Sequence, residues 1–172
     1  PVVVPPEHEE FYAERVVLLP DCYQPNDSAR TISERTPSRA EQGLPESGFV
    51  FCCFNNSYKI TPGAFDTWMR LLARVPGSVL WLLGSSRTAR ENLCRQAGAR
   101  GVRADRLVFA SAMDPEDHLA RHRLADLFLD TFQYNAHTTA SDALWAGLPV
   151  VSLIGNTFAS RVAASLLHAV RL

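Results

Sequence analysis

The stretch at residues 130–153 carries the residue types best suited to chemistry in this chain. An apolar run ends at Asp130, a loop follows, and the sequence His-Thr-Thr at 137–139 opens a helical pattern that ends at the Gly-Leu-Pro of 147–149. The first amides of a helix lack intrahelical partners, and the helix dipole is positive at that end. Small hydroxyl residues there let a diphosphate approach, so the pattern predicts an anion site.

A second polar segment, residues 55–59, follows the first apolar run of the regular part of the chain. Lys59 offers a compact cation with three donors, which suits a diphosphate oxygen and the charge that grows on a leaving nucleotide. The alternative is a solvated loop lysine among turn-forming asparagines. Because the carboxyl ends of parallel strands border one crevice, residues 55–59 and 137–139 should share an edge of the sheet. With that placement, a role at a diphosphate and a place in a solvated loop are about equally well supported for Lys59.

Three further polar positions allow both a functional and a structural interpretation. His118 and Arg121 lie one helical turn apart, where they would suit a pyrimidine base and its edge, but a solvated polar face explains them too. Asp142 either accepts ribose hydroxyls or completes a capping box with Thr139, and the spacing favours the box. His137 fits an anion site and an ordinary loop equally well.

The composition is that of an ordinary globular chain. A length of 172 residues suits one domain, and the hydrophobic share of 47% is normal. A net charge of -1 and the lack of an apolar run near about 20 residues argue against nucleic acid and membrane partners. Cys22, Cys52, Cys53 and Cys94 show no metal-ligand spacing, so we expect no metal and reduced thiols in a cytoplasmic protein. The chain starts with Pro1 rather than Met, and we expect it to belong to a longer one.

The chain divides into two parts that differ in proline content and in the regularity of their hydrophobic pattern. Residues 1–48 are broken repeatedly by proline, which leaves room for one strand at 15–19, and we interpret them as a connecting segment from an upstream half. From residue 49 short apolar runs alternate with helical patterns, which predicts an α/β fold with a Rossmann-like parallel sheet and flanking helices. The expected strands are 49–54, 78–84, 106–109, 127–130 and 150–154, and the expected helices are 61–75, 88–98, 115–125, 138–146 and from 156 onward.

Five stretches carry a resemblance to a known family: FNNSYKI (54–60), VPGSVLWLL (75–83), LADLFLDT (124–131), NAHTTASDALWAG (135–147) and TFASRVAASLL (157–167). Together they cover most of residues 49–167 in the family's order, and the His-Thr-Thr…Asp…Trp-Ala-Gly block is specific. The chain resembles the C-terminal catalytic half of the O-linked N-acetylglucosamine transferase family, and its bacterial members in particular. That family has a GT-B fold with tetratricopeptide repeats upstream.

The resemblance implies a UDP-N-acetylglucosamine donor, no other cofactor, and inverting transfer to serine or threonine hydroxyls of proteins. It makes residues 49–172 the donor-binding half, truncated at its C-terminus, which would bind donor without turnover because acceptors are held by the upstream half and the repeats. Lys59 and His137 would be the catalytic residues. The implied contacts are Asn56 and Lys59 at the diphosphate, Met113, His118 and Arg121 at the uracil, His137, Thr138 and Thr139 at the phosphates and sugar, and Asp142 at the ribose.

Two alternatives stay open. The animal enzymes carry a glutamine at the place of Asn56 and a lysine at the place of Pro115, and these departures mildly favour a non-catalytic nucleotide-binding or interaction module. The intact His-Thr-Thr…Asp block argues against it. The second alternative is a related protein O-fucosyltransferase that uses GDP-fucose; those proteins have a threonine at the place of His137 and a glutamate at the place of Asp142. A preference for uracil over guanine would distinguish an O-linked N-acetylglucosamine transferase from an O-fucosyltransferase.

Overall fold

A parallel β-sheet forms the centre of the fold. The computed structural model describes residues 2–172, so Pro1, the first residue of the predicted connecting segment, lies outside the described residues. Five strands are hydrogen-bonded in the order β3-β2-β1-β4-β5, and all four pairings are parallel. The strands are β1 (Val50–Cys53), β2 (Val79–Leu83), β3 (Leu107–Ala110), β4 (Leu127–Leu129) and β5 (Val150–Val151). The predicted Rossmann-like sheet with flanking helices is confirmed.

Within the described residues, five α-helices connect and follow the strands. They are α1 (Pro62–Arg74), α2 (Arg87–Gly98), α3 (Pro115–Arg121), α4 (Thr138–Trp145) and α5 (Val162–Ala169). Helix α1 begins as predicted: the hydroxyl of Thr61 accepts the N–H of Ala64 at 3.4 Å, and Pro62 takes a first-turn position where no N–H is needed. Helix α3 ends before the predicted residue 125, because a 3₁₀ turn takes over at His122–Leu124. A 3₁₀ turn at Phe158–Ser160 likewise precedes α5.

Both faces of the sheet are covered by a hydrophobic core. One core packs α1 and α2 on the sheet and includes the fully buried Trp68. The other packs α4 and α5 on the opposite face and also takes up Val3 and Leu44 from the N-terminal part. Cys52 lies in the second core and Cys53 in the first, as expected for neighbours in a strand. All four cysteines are free thiols.

The N-terminal part differs from the prediction at residues 15–19. This run pairs with no strand in the described chain, and Val17 is 75% exposed, so the predicted strand is wrong. Solvent can satisfy its exposed backbone groups, so a sheet ladder is not required. The run instead borders, together with α5, a largely apolar cavity of about 650 Å³. Strand β5 also ends early, at Val151 rather than 154.

The strand order places a topological switch point between β1 and β4. The chain adds β2 and β3 on one side of β1 and then returns to add β4 and β5 on the other side. The connections leaving two such neighbouring strands diverge to opposite faces, which opens a crevice at their carboxyl ends. Residues 54–59 follow β1 and residues 130–137 follow β4, so both predicted anion-binding segments border this crevice.

Candidate functional site

A buried polar network forms the floor of the crevice. Asp130, which is 2% exposed, accepts the N–H of Ala136 at 2.5 Å and the hydroxyl of Ser152 at 2.6 Å. Asn55 donates its side-chain amide to Asp130 at 3.2 Å and accepts the hydroxyl of Thr139. Burial raises the pKa of the Asp130 carboxyl, and the hydrogen bonds it accepts oppose that rise. The network therefore joins the ends of β1 and β4 to the start of α4.

Lys59 lies on the wall of the crevice, in a short 3₁₀ turn after β1. Its Nζ donates to the carbonyl of Asn135 at 3.0 Å and lies 3.8 Å from the centroid of the Tyr134 ring. Partial burial lowers the pKa of the Lys59 ammonium. An ammonium has three donors, so a cation held by one carbonyl and one ring keeps donors for the oxygens of an anion. Asn56, three residues earlier, is exposed beside this turn.

Helix α4 presents an uncapped N-terminus to the same crevice. Within residues 2–172 no side chain caps this helix, and His137 occupies the N-cap position. Its first amides lack intrahelical partners, so this end attracts an anion. Thr138 is exposed there, and Thr139 is half-buried. His137 Nδ1 lies 3.3 Å from the Tyr23 hydroxyl and Nε2 lies 3.3 Å from the Ala159 carbonyl; burial lowers the pKa of the His137 imidazole.

The predicted capping box of Thr139 and Asp142 is wrong. The helix begins two residues earlier than a Thr139 cap requires, and the Thr139 hydroxyl donates to Asn55 instead. Asp142 forms an ion pair with Arg30 at 2.6 Å. Both side chains therefore have distant partners in place of local backbone amides. A capping box does form at the start of the 3₁₀ turn before α5.

His118 and Arg121 share a face of α3, as predicted, and contact each other. The guanidinium of Arg121 donates through Nη2 to His118 Nδ1 and through Nη1 to the Ser111 carbonyl at 2.6 Å. Arg121 is 1% exposed, and its guanidinium lies 4.7 Å from the centroid of the Phe54 ring. Burial and then the Arg121 charge lower the pKa of His118 to about 3. The His118 ring is therefore neutral at pH 7, which suits stacking on a base.

The candidate residues fall into two groups. Asn56, Lys59, His137, Thr138, Thr139 and Asp142 surround the β1–β4 crevice, whereas Met113, His118 and Arg121 lie at β3 and α3. Met113 and Arg121 line a separate cavity of about 80 Å³. The cavity of about 650 Å³ contains none of these residues. We place the site at the crevice because the cation, the open helix end and the buried acid converge there.

Reasoning from the sequence missed four residues that build the site. Asn55 and Asp130 carried a signal, because each is a polar residue directly after a buried strand at the ligand edge. Tyr23 and Arg30 carried none, since their partners, the N-cap of α4 and a residue of α4 itself, lie 114 and 112 residues further along the chain. Arg30 also links the two groups of candidates: it pairs with an α4 carboxylate, and its charge is one of the smaller causes of the low pKa of the α3 histidine.

Comparison with known proteins identifies relatives over nearly the whole chain. It is 40% identical over 169 residues to the probable UDP-N-acetylglucosamine–peptide N-acetylglucosaminyltransferase SEC of Arabidopsis thaliana, a match that covers 95% of this chain and 17% of that protein. It is 43% identical over 132 residues to the UDP-N-acetylglucosamine–peptide N-acetylglucosaminyltransferase of Caenorhabditis elegans, covering 77% of this chain and 12% of that protein. The chain therefore spans less than a fifth of the length of these relatives.

A solved structure is also similar to this chain over nearly its whole length. A mutant of the O-GlcNAc transferase of Thermobaculum terrenum matches 98% of this chain and 32% of its own length, with a TM-score of 0.82 and 32% sequence identity. The family model described as glycosyl transferase family 41 matches residues 25–172. On the agreement of family model, relatives and fold, this chain belongs to glycosyl transferase family 41.

Proposed function

We propose that this chain is the donor-binding domain of a protein O-GlcNAc transferase, which holds UDP-N-acetylglucosamine in the β1–β4 crevice for inverting transfer to serine or threonine hydroxyls. The observation that carries the proposal is the position of Lys59, whose Nζ lies 3.0 Å from the carbonyl of Asn135, two residues before the N-cap of α4. A cation and a positive helix end thus converge, as a diphosphate requires. The names of the relatives, which specify this donor and a peptide acceptor, support the choice of substrate.

The catalytic role follows from where charge develops. When the acceptor oxygen attacks the anomeric carbon and the bond to UDP breaks, negative charge grows on the leaving phosphate. Lys59 and the first amides of α4, at Thr138 and Thr139, are donors fixed before the reaction, and such donors stabilise developing charge without reorganising. Asn56 is placed at the exposed end of the same anion, and His137 beside the phosphates and sugar. We assign no general base to this chain.

We assign the base and the ribose of the donor to residues next to those proposed for the diphosphate. We place the uracil against His118, next to the main chain of Met113, because a neutral imidazole stacks without the cost of burying a charge. Arg121 would reach the edge of the base from its buried position. Asp142 would accept the ribose hydroxyls: its Oδ1 pairs with Arg30, while its Oδ2 makes no hydrogen bond within residues 2–172.

The remaining parts of the enzyme are proposed to lie outside this chain. Acceptor proteins would bind through an upstream catalytic half and tetratricopeptide repeats, and residues 1–48 would connect that half to the donor domain that starts at residue 49. The chain alone would bind donor without turnover. No helix of residues 2–172 is long and apolar enough to cross a membrane. The free thiols support the proposed cytoplasmic location, and the proposal invokes no metal, nucleic acid or cofactor besides the donor.

Substitution of Lys59 tests the proposal in the longer transferase that contains this chain. We expect Lys59→Ala to lower kcat on the order of 100-fold, as removal of one charge-stabilising donor does in other active sites, with a smaller change in the Kd for UDP. Arg70→Ala, which removes an exposed cation on α1, is the matched control and should leave both constants unchanged. Near-normal turnover in Lys59→Ala would overturn the role given to this lysine.

A further inference from the structure

Part of the N-terminal region lies directly over the first turns of α4. We define residues 23–30 as the strap. Three side-chain pairs join the strap to α4 or its N-cap: Tyr23 with His137 at 3.3 Å, Asn26 with Ser141 at 2.6 Å, and Arg30 with Asp142 at 2.6 Å. Two of the three partners belong to the candidate donor site. The strap therefore contacts residues of the candidate site directly.

We propose that the strap is a positioning element of the donor site, in which Tyr23 fixes the orientation and proton arrangement of His137 and Arg30 fixes the carboxylate of Asp142. The proposal rests on the proposed function in that the ligand is taken to be a uridine nucleotide. Neither strap residue is assigned a contact with the reacting atoms.

The arrangement around His137 determines which nitrogen carries its proton. The carbonyl of Ala159 can only accept, so Nε2, at 3.3 Å from it, carries the hydrogen. Nδ1 of a neutral ring is then an acceptor, and the Tyr23 hydroxyl donates to it. The Tyr23 ring packs edge-on against Phe158 with centroids 5.1 Å apart, which aims the hydroxyl. His137 is therefore held at both nitrogens, and its orientation at the helix mouth is fixed.

Arg30 acts on Asp142 by charge and geometry. Asp142 is only 7% exposed, and a buried carboxylate is costly unless a cation or donors compensate it. Arg30 supplies that cation at Oδ1 and leaves Oδ2 to accept from a ligand hydroxyl. The pair thus holds the carboxylate in one orientation, with one oxygen satisfied and the other available. Loss of Arg30 should affect binding through the ribose more than through the phosphates.

The Tyr23 contact is tested by nitrogen NMR of the His137 ring. Tyr23→Phe removes the hydroxyl and keeps the ring that packs on Phe158. We expect the Nδ1 resonance of His137 to move from its hydrogen-bonded position and the Nε2 proton to exchange faster with water. Tyr12→Phe, in an exposed tyrosine of the same N-terminal part, is the matched control and should leave the His137 signals unchanged. Unchanged His137 signals in Tyr23→Phe would overturn this half of the proposal.

The Arg30 contact is tested by calorimetric titration with UDP and with 2′,3′-dideoxy-UDP. We expect Arg30→Ala to weaken UDP binding about tenfold, the effect of losing one charge-assisted interaction, and to weaken dideoxy-UDP binding less than about threefold. Arg30→Lys should restore part of the UDP affinity. The control is Arg35→Ala, which removes an exposed ion pair with Glu41 in the same part of the chain and should change neither ligand's affinity. An equal loss with both ligands would overturn a role through the ribose.

The two proposals fail separately. A folded wild-type chain that does not bind UDP would overturn the proposed function, whereas the NMR signals of His137 would still decide whether Tyr23 positions this ring. If UDP binds and the strap variants change neither the His137 signals nor the affinity, only the strap proposal fails. A change in thermal stability alone, without either effect, would show that the strap is structural, and that result also contradicts the proposal.

Discussion

The carboxylate of Asp130 lies 2.5 Å from the backbone nitrogen of Ala136, and this hydrogen bond joins the end of β4 to the residue that precedes the N-cap of α4. The same carboxylate accepts from Ser152 and Asn55. The open end of α4 is therefore set in place by a buried acid that is not among the predicted ligands. The geometry of the candidate site depends on this floor as much as on the residues that would contact a nucleotide.

Removal of the Asp130 carboxylate should destabilise the fold. Asp130→Ala leaves several buried donors without an acceptor, and we expect the free energy of unfolding to fall by roughly 3 kcal/mol. Asp130→Asn keeps the shape and one acceptor, so its cost should be smaller. Asp105→Ala, in an exposed ion pair with Arg103, should cost far less than Asp130→Ala and serves as the control in urea unfolding at pH 7. A loss no greater than that of the control would show that the network does not hold the site.

The neutral state of His118 should make stability depend on pH. Burial and the Arg121 charge lower its folded pKa from 6.5 to about 3. Between these values the unfolded chain binds a proton that the folded chain does not, so stability is fully present above pH 6.5 and is lost as the pH falls toward 3. His118→Gln removes this proton uptake, and urea unfolding from pH 4 to 7 should show a shallower dependence than in the wild type. Parallel profiles would contradict the low folded pKa. Any slope that remains comes from the other groups with shifted pKa values, such as His122, His137 and Asp130.

Substitutions of Thr138 and Thr139 should differ in their effect on stability, although both residues lie at the candidate site. Thr139 donates its hydroxyl to the buried Asn55, so Thr139→Val should lower the free energy of unfolding by about 1–2 kcal/mol by leaving that acceptor unpaired. Thr138 is exposed, so Thr138→Val should change stability by less than about 0.5 kcal/mol. We expect Thr138→Val nevertheless to weaken UDP binding. Comparison of thermal unfolding with UDP titration checks both, and an equal stability loss in the two variants would contradict the assignment.

Much of the fold could be predicted because it is encoded locally. The alternation of short apolar runs with helical patterns gives the parallel sheet, and the Thr61-Pro62 pair marks the start of α1. The failures in the predicted strands share one physical cause, which is the choice of a partner distant in sequence. The run at 15–19 resembles a strand but pairs with none in the described chain, and β5 stops after two residues. Periodicity reports what a segment can form, not whether a neighbouring strand is there to pair with it.

For the candidate site too, the location could be predicted from the sequence, whereas the contacts between distant residues could not. Residues 55–59 and 137–139 lie at one edge because topology requires it, and the sequence alone indicated this. The capping box failed because Asp142 has a stronger partner in Arg30 than a local amide would be. No spacing rule connects two residues 112 positions apart. The roles of Lys59 and His137 remain predictions that binding and turnover must decide.

Calorimetric titration of the chain with UDP, with GDP as the competing base, tests the central claim most directly. We expect UDP to bind in preference to GDP, because the proposed function assigns His118 and Arg121 to a uracil base. Lys59→Ala and His137→Ala should each weaken that binding measurably, with the change in Kd for Lys59→Ala smaller than its change in kcat, while circular dichroism shows the fold intact. A folded chain that binds neither nucleotide, binds GDP as well as UDP, or binds UDP equally well in both variants would contradict the account.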